Sequence, residues 1–122
     1  MPPIETVIIG AGGRGSVYSQ YALHRPQDII VTAIAEPQED RRMRLATEHD
    51  IPPERCYTSW EDLLADGKVA PTAINCTMDR MHMDSTLALL DAGYDVLLEK
   101  PMSPVLEENV RLVQVAEEKG RL

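Results

Sequence analysis

The stretch Val7-Ile8-Ile9-Gly10-Ala11-Gly12-Gly13-Arg14-Gly15 decides how this chain is read. It is an apolar run followed at once by G-x-G-x-x-G, and then by a helix-like segment. In that setting each glycine has a task. Gly10 permits a tight strand-to-helix turn, Gly12 lets the backbone approach a pyrophosphate, and Gly15 lets the helix pack closely on the strand. Gly13 and Arg14 lie at a helix N-terminus, where free N–H groups and the positive end of the dipole suit phosphate. The glycine pattern alone is common. A strand before it and a helix after it make dinucleotide binding the expectation. Arg14 either touches the pyrophosphate or stays at the surface.

Outward from the loop, short β-rich runs alternate with longer helical ones. Ile4–Ile9 reads as a first strand and Arg14–His24 as a helix, with Val17 and Tyr21 on one face and Pro26 as its stop. Ile29–Ala35 is a near-continuous apolar run, the pattern of a strand buried on both faces. Gln38–His49 is a charged helix that Pro52-Pro53 prevents from continuing. Cys56–Thr58 reads as a short edge strand. Ser59 is the N-cap of a helix ending at Gly67. Thr72–Cys76 is a fourth strand, and Met81–Ala92 a helix with Met83, Leu87 and Leu90 on one face. Asp95–Leu98 is a fifth strand. Ser103 caps a last helix with Pro104 at its first position and Leu106, Val110 and Val113 as its core face.

Five strands alternating with five helices imply an α/β fold, a doubly wound parallel sheet in three α/β/α layers. The strand order 3-2-1-4-5-6 usual for dinucleotide binding wants a sixth strand beside the fifth. The expectation is therefore a fragment, or a domain that lends this edge to a partner.

Composition narrows the function classes. The 122 residues suit one domain with a real core, at 43% apolar and 26% charged, and phenylalanine is absent. A net charge of −8 argues against nonspecific nucleic-acid binding and against an anionic membrane partner. It does not exclude an anionic cofactor held at a helix N-terminus. The two cysteines, Cys56 and Cys76, form no C-x-x-C pair, so no metal site is expected, and the thiols are expected to stay reduced. The N-terminus has neither a basic nor an apolar signal region, which points to a cytoplasmic protein.

Two further features carry chemistry. Glu36 ends the second strand 21 positions beyond Gly15, where a carboxylate accepts hydrogen bonds from the adenosine ribose hydroxyls. A carboxylate there repels a 2′-phosphate, which favours NAD and leaves NADP possible, with Arg41 and Arg42 nearby to weaken the preference. The other reading of Glu36 is a solvated strand end. Glu99-Lys100-Pro101 follows the fifth strand, at the carboxyl end of the sheet where ligands sit in such folds. Lys100 there either assists deprotonation of a substrate hydroxyl or forms an ordinary surface ion pair with Glu99. Met78, Met81, Met83 and Met102 cluster at the ends of strands four and five, either as core filling or as the lining of an apolar pocket.

The glycine loop, Ala33–Pro37, and the run Gly93-Tyr94-Asp95-Val96-Leu97-Leu98-Glu99-Lys100-Pro101 together resemble the amino-terminal Rossmann domain of the Gfo/Idh/MocA oxidoreductases, over essentially the whole chain. Tyr57–Leu64, Thr72–Thr77 and His82 fit that family's spacing. The resemblance implies an NAD(P)-dependent dehydrogenase acting on a sugar, polyol or related alcohol or ketone by hydride transfer. It implies Lys100 as the catalytic lysine near the nicotinamide ribose, Glu99 as support for that ribose, and Thr77 and Met78 on the loop that passes the cofactor. His82 opens the next helix, either on the substrate side or in a structural or capping role. Two departures stand out. Met78-Asp79-Arg80 occupies the place where the family often has proline or asparagine. The α+β substrate domain that accompanies this domain in the family is absent, so the isolated domain is expected to bind cofactor and catalyse little. A homo-oligomer acting on a small molecule is implied for the full-length protein. The alternative is a nonenzymatic NAD(H)-binding redox sensor or interaction module.

Overall fold

The computed structural model describes all 122 residues. In chain order the elements are β1 (Ile4–Ile9), α1 (Gly13–His24), β2 (Ile29–Ala35), α2 (Glu39–Glu48), β3 (Cys56–Tyr57), α3 (Trp60–Ala65), β4 (Thr72–Asn75), α4 (His82–Asp91), β5 (Asp95–Leu98) and α5 (Leu106–Lys119). Short 3₁₀ turns at Pro53–Arg55 and Asp79–Met81 precede β3 and α4. The five strands form one sheet in the order β3-β2-β1-β4-β5, and all four pairings are parallel.

The order reverses direction at β1. From there the chain steps outward through β2 to β3, then returns to the other side of β1 for β4 and β5. The crevice between β1 and β4 at their carboxyl ends is thus the switch point where ligands bind in open α/β sheets. Register places Ile9 beside both Ala35 and Asn75, and Asn75 beside Leu98. The residues that follow these four positions therefore emerge together.

Alternation along the central strands supplies two cores. Val7, Ile9, Ala33, Ala35 and Ala73 face Leu63 of α3, Leu89 of α4 and Tyr94. Ile8, Val31, Ile34 and Ile74 face Ala22 of α1 and Leu45 and Ala46 of α2. Strands flanked by helices on both sides must be apolar at nearly every position, which is why Ile29–Ala35 reads as an unbroken run. The Ser59 cap is present: its Oγ accepts from the Asp62 N–H at 3.1 Å.

Three helix faces differ from the sequence expectation. On α1, Val17 and Tyr21 are exposed, and the buried residues are Gly15, Ser19 and Ala22. The helix lies too close to the sheet for large side chains. A Cβ on Gly15 would sit 1.9 Å from the Gly10 carbonyl oxygen. On α4, the buried face is His82, Ser85, Thr86, Leu89 and Leu90, rotated from Met83 and Leu87 because Asn75 draws Ser85 and Thr86 inward. On α5, Leu106, Val110 and Val113 are exposed and Leu112 and Val115 are buried.

The start of α5 also differs. It begins at Leu106, after Val105, rather than at Pro104. Ser103 Oγ accepts from the Val105 N–H at 3.1 Å and donates to Glu108 Oε1 at 2.7 Å. Asn109 donates to the Ser103 carbonyl at 3.1 Å. Those bonds turn the 108–109 side of the helix inward and rotate the valines out. β5 is an outer strand, as expected, and its Val96 N–H is met by the Leu122 carbonyl at 2.9 Å.

Candidate functional site

The site begins where β1 ends. Gly10 takes φ +87, a conformation that L side chains rarely adopt, and a Cβ there would come within 2.5 Å of the Cys76 carbonyl oxygen. The loop therefore presses its backbone against the end of β4, and only glycine fits. Gly12 is the N-cap of α1 and offers no side chain, so the first helical bond is Ser16 N–H to the Gly12 carbonyl at 3.0 Å. The N–H groups of Gly13, Arg14 and Gly15 precede that bond and have no intrahelical partner. A Cβ on Gly13 would meet nothing within 4 Å. Open space in front of unpartnered N–H groups at a dipole's positive end fits a pyrophosphate.

Glu36 lies under this loop. It is 5% exposed, so it is not a solvated strand end. Its Oε1 accepts from the Ala11 N–H at 2.7 Å and its Oε2 from the Gln38 N–H at 2.8 Å. Each oxygen keeps a lone pair for a ligand hydroxyl. Beside it a cavity of about 440 Å³ is bordered by Ala11, Gly12, Gly13, Ser16, Arg41 and Arg44. Arg44 is engaged with Ser16 Oγ at 2.9 Å, and Arg42 with the Glu36 carbonyl at 2.7 Å. Arg41 reaches across the loop: a Cβ on Gly12 would lie 3.5 Å from its Nη1.

The other side of the crevice hangs on Asn75, which sequence reasoning missed. It is fully buried at the end of β4. Its Nδ2 donates to Ser85 Oγ at 2.8 Å and to Thr86 Oγ1 at 3.0 Å. Its Oδ1 accepts from the Thr77 N–H at 3.2 Å and from Thr77 Oγ1 at 2.9 Å, and its carbonyl accepts the Glu99 N–H at 3.0 Å. The side-chain amide therefore fixes the Thr77 turn against the start of α4, while the backbone carbonyl of the same residue holds the end of β5. The signal in the sequence was an amide inside an apolar strand, a residue that burial tolerates only with partners.

Glu99 and Lys100 do not form the surface ion pair that was one reading of them. The Glu99 carboxylate instead accepts from the Tyr18 hydroxyl of α1, a second residue the sequence reading passed over. That hydrogen bond is the main reason the Glu99 carboxyl is held below the usual carboxylate range, helped by the Lys100 backbone N–H and by the nearby charges of Arg14 and Lys100. Lys100 is exposed at the mouth, and its peptide bond to Pro101 is cis. Arg14, Tyr18, Leu97, Leu98, Glu99 and Lys100 border a cavity of about 300 Å³. Cys76 is a free thiol whose pKa is pushed up to about 12, chiefly by burial, which favours the protonated thiol over the reactive thiolate.

His82 is fully buried, which takes it off the substrate side. Nδ1 lies 2.8 Å from the Pro101 carbonyl and Nε2 lies 2.9 Å from the Thr77 carbonyl. It braces the β4 loop against the segment after Lys100. Met78 is exposed on the β4 loop, and Met102 is exposed as well, so neither fills the core.

A family model described as "Oxidoreductase family, NAD-binding Rossmann fold", that of the Gfo/Idh/MocA proteins, matches residues 4–122. Among curated relatives, inositol 2-dehydrogenase of Corynebacterium glutamicum is 29% identical over 88% of this chain and 31% of its own length. The scyllo-inositol 2-dehydrogenase (NADP(+)) of Bacillus subtilis is 30% identical over 98% of this chain and 32% of its own. Among solved structures, an inositol dehydrogenase homolog from Azotobacter vinelandii complexed with NAD+ superposes with a TM-score of 0.86 at 26% identity, covering 98% of this chain and 33% of that one. The chain thus spans about a third of the length of the relatives it matches.

Proposed function

Because the chain belongs to the Gfo/Idh/MocA oxidoreductases, with their NAD-binding Rossmann fold, we propose that it is the cofactor-binding domain, residues 1–122, of a longer enzyme that oxidises a sugar or polyol alcohol or reduces the corresponding ketone. The observation that carries the cofactor half of this reading is the joining of the uncapped α1 N-terminus to the buried Glu36 through the Ala11 N–H. The substrate class rests on the inositol dehydrogenases among the relatives. A separate substrate domain, a homo-oligomer and a cytoplasmic location belong to the same proposal. No helix is long and apolar enough to cross a membrane.

The residues divide the work as follows. Gly10, Gly12, Gly13 and Gly15 bring backbone N–H groups to the pyrophosphate, with Arg14 one step into the helix. Glu36 accepts the adenosine ribose hydroxyls and disfavours a 2′-phosphate, so NAD is preferred. Thr77 and Met78 line the path of the nicotinamide half, and Glu99 accepts a hydroxyl of its ribose. The dinucleotide, when bound, supplies the hydride acceptor or donor. Lys100, exposed beside Glu99, takes the proton from the substrate hydroxyl at Nζ in oxidation and returns it in reduction.

Calorimetric titration with NADH and NADPH tests the reading. Binding of both, with NADH about tenfold tighter or more, is expected from one charge repulsion at the ribose. No binding at millimolar cofactor overturns it. In the full-length enzyme, Lys100→Ala removes turnover and leaves NADH affinity largely intact, and unchanged turnover takes Lys100 out of the mechanism.

A further inference from the structure

We infer that Tyr18 is a positioning residue for Glu99, fixing that carboxylate so that it presents an oxygen to the nicotinamide-side ribose; the inference rests on the dinucleotide reading above. Two neighbours compete for Glu99. The Lys100 ammonium is next to it in sequence, and a mobile carboxylate would swing toward it. The Tyr18 hydroxyl comes from α1, 81 positions earlier, and takes Oε2. The Lys100 backbone N–H also favours the carboxylate, but Oε1 makes no hydrogen bond to another side chain and keeps a lone pair for a ligand hydroxyl.

The geometry makes this bond distinct from the packing around it. Ser16 and Ser19 of α1 donate only within their own neighbourhood, to the Ala11 and Ser16 carbonyls, although Ser16 Oγ also accepts from Arg44 of α2. Tyr18 crosses to the end of β5. Its ring also packs against the core between the sheet and α1, so a phenylalanine keeps the apolar contact and loses only the hydroxyl. The Glu99 main chain is held separately, by its N–H to the Asn75 carbonyl at 3.0 Å. The main hold on the Glu99 side chain and the hold on its backbone therefore come from different elements, and loss of the Tyr18 hydroxyl loosens the first without the second.

Arg14 lies one helical turn before Tyr18 on α1 and borders the same cavity. Its charge favours the ionised form of Glu99, while Glu99 in turn raises the Tyr18 hydroxyl above its ordinary value. Donor and acceptor thus both stay in the form the bond needs across neutral pH. Because α1 starts at the glycine loop, one rigid helix sets both the N–H groups for the pyrophosphate and the carboxylate for the distal ribose.

The test is Tyr18→Phe, read in three ways. Carbon-13 NMR titration of the Glu99 carboxyl should move its midpoint upward toward an ordinary glutamate. NADH affinity should fall about 5- to 20-fold, while ADP, which lacks the nicotinamide riboside, changes by less than about twofold. On a Glu99→Gln background the added Tyr18→Phe change should cost NADH affinity nothing further. Equal weakening of NADH and ADP would mean Tyr18 only props up the helix, and unchanged NADH affinity would mean Glu99 needs no holding; either overturns the inference. A wild-type protein that binds neither nucleotide overturns the cofactor reading itself, a different outcome from tight wild-type binding that Tyr18→Phe leaves untouched.

Discussion

Gly10 and Gly15 are constrained by each other. A Cβ on Gly15 would meet the Gly10 carbonyl at 1.9 Å, and that carbonyl belongs to a residue itself wedged against Cys76. Main chain cannot yield as a flexible side chain would. Gly15→Ala is therefore expected to destabilise the fold by about 1–3 kcal/mol or more in urea denaturation and to abolish NADH binding. Gly13→Ala faces open space and should leave stability within about 0.5 kcal/mol. Equal effects of the two substitutions would contradict the close approach of α1 to β1. Residues such as these were legible in the sequence because their constraint is local: a turn within six positions demands glycine wherever the rest of the chain goes. Glu36 was legible for a related reason, since the second strand of the unit delivers it to the loop. Asn75 and Tyr18 were not, because what makes them matter is a partner brought near only by the sheet.

At the scale of elements, β1, β2, β4 and β5 were readable from their apolar runs, and helix boundaries were readable to within about two residues, the start of α5 included. The faces were not. Sequence periodicity assigns a stripe, but short helices carry more than one apolar stripe, and the neighbours choose among them. On α5 the choice fell to Leu112 and Val115, after Ser103, Glu108 and Asn109 had fixed the helix's rotation. Leu112→Ala is expected to cost about 2–5 kcal/mol, and Val113→Ala less than about 0.5 kcal/mol, as read from urea midpoints. The reverse ranking would restore the face that periodicity suggested.

For the molecule as a whole, stability should depend on pH through His49, which closes α2 with its Nε2 buried and unpartnered. Burial lowers its pKa from 6.5, against smaller opposing effects of Glu48 and Asp50. The unfolded chain then takes up a proton that the folded chain resists. The contribution is full above about pH 6.5 and is lost as pH falls through the depressed folded value. Wild-type protein should lose more stability between about pH 7 and pH 5 than His49→Asn does, since only the former can be protonated there. Parallel urea titrations of the two proteins check this, and identical slopes would remove His49 from the acid response. The carboxylates held low, Glu99 and Asp91, act in a more acid window and do not confuse the comparison.

The sequence by itself determined the alternation of strand and helix, the parallel doubly wound sheet and the glycine turn between β1 and α1, along with the acidic end of β2 and the Glu99-Lys100-Pro101 end of β5. Each of these follows from backbone conformation or burial periodicity, properties that a few adjacent residues express without help. Only the tertiary structure decided that Tyr18 rather than the Lys100 ammonium takes the Glu99 carboxylate, that the buried Asn75 amide ties the Thr77 turn to α4, that His82 is a brace, and which stripe of each helix faces inward. Those outcomes depend on side chains from distant positions competing for the same partner, and the winner is set by the sheet order that brings them within hydrogen-bonding distance.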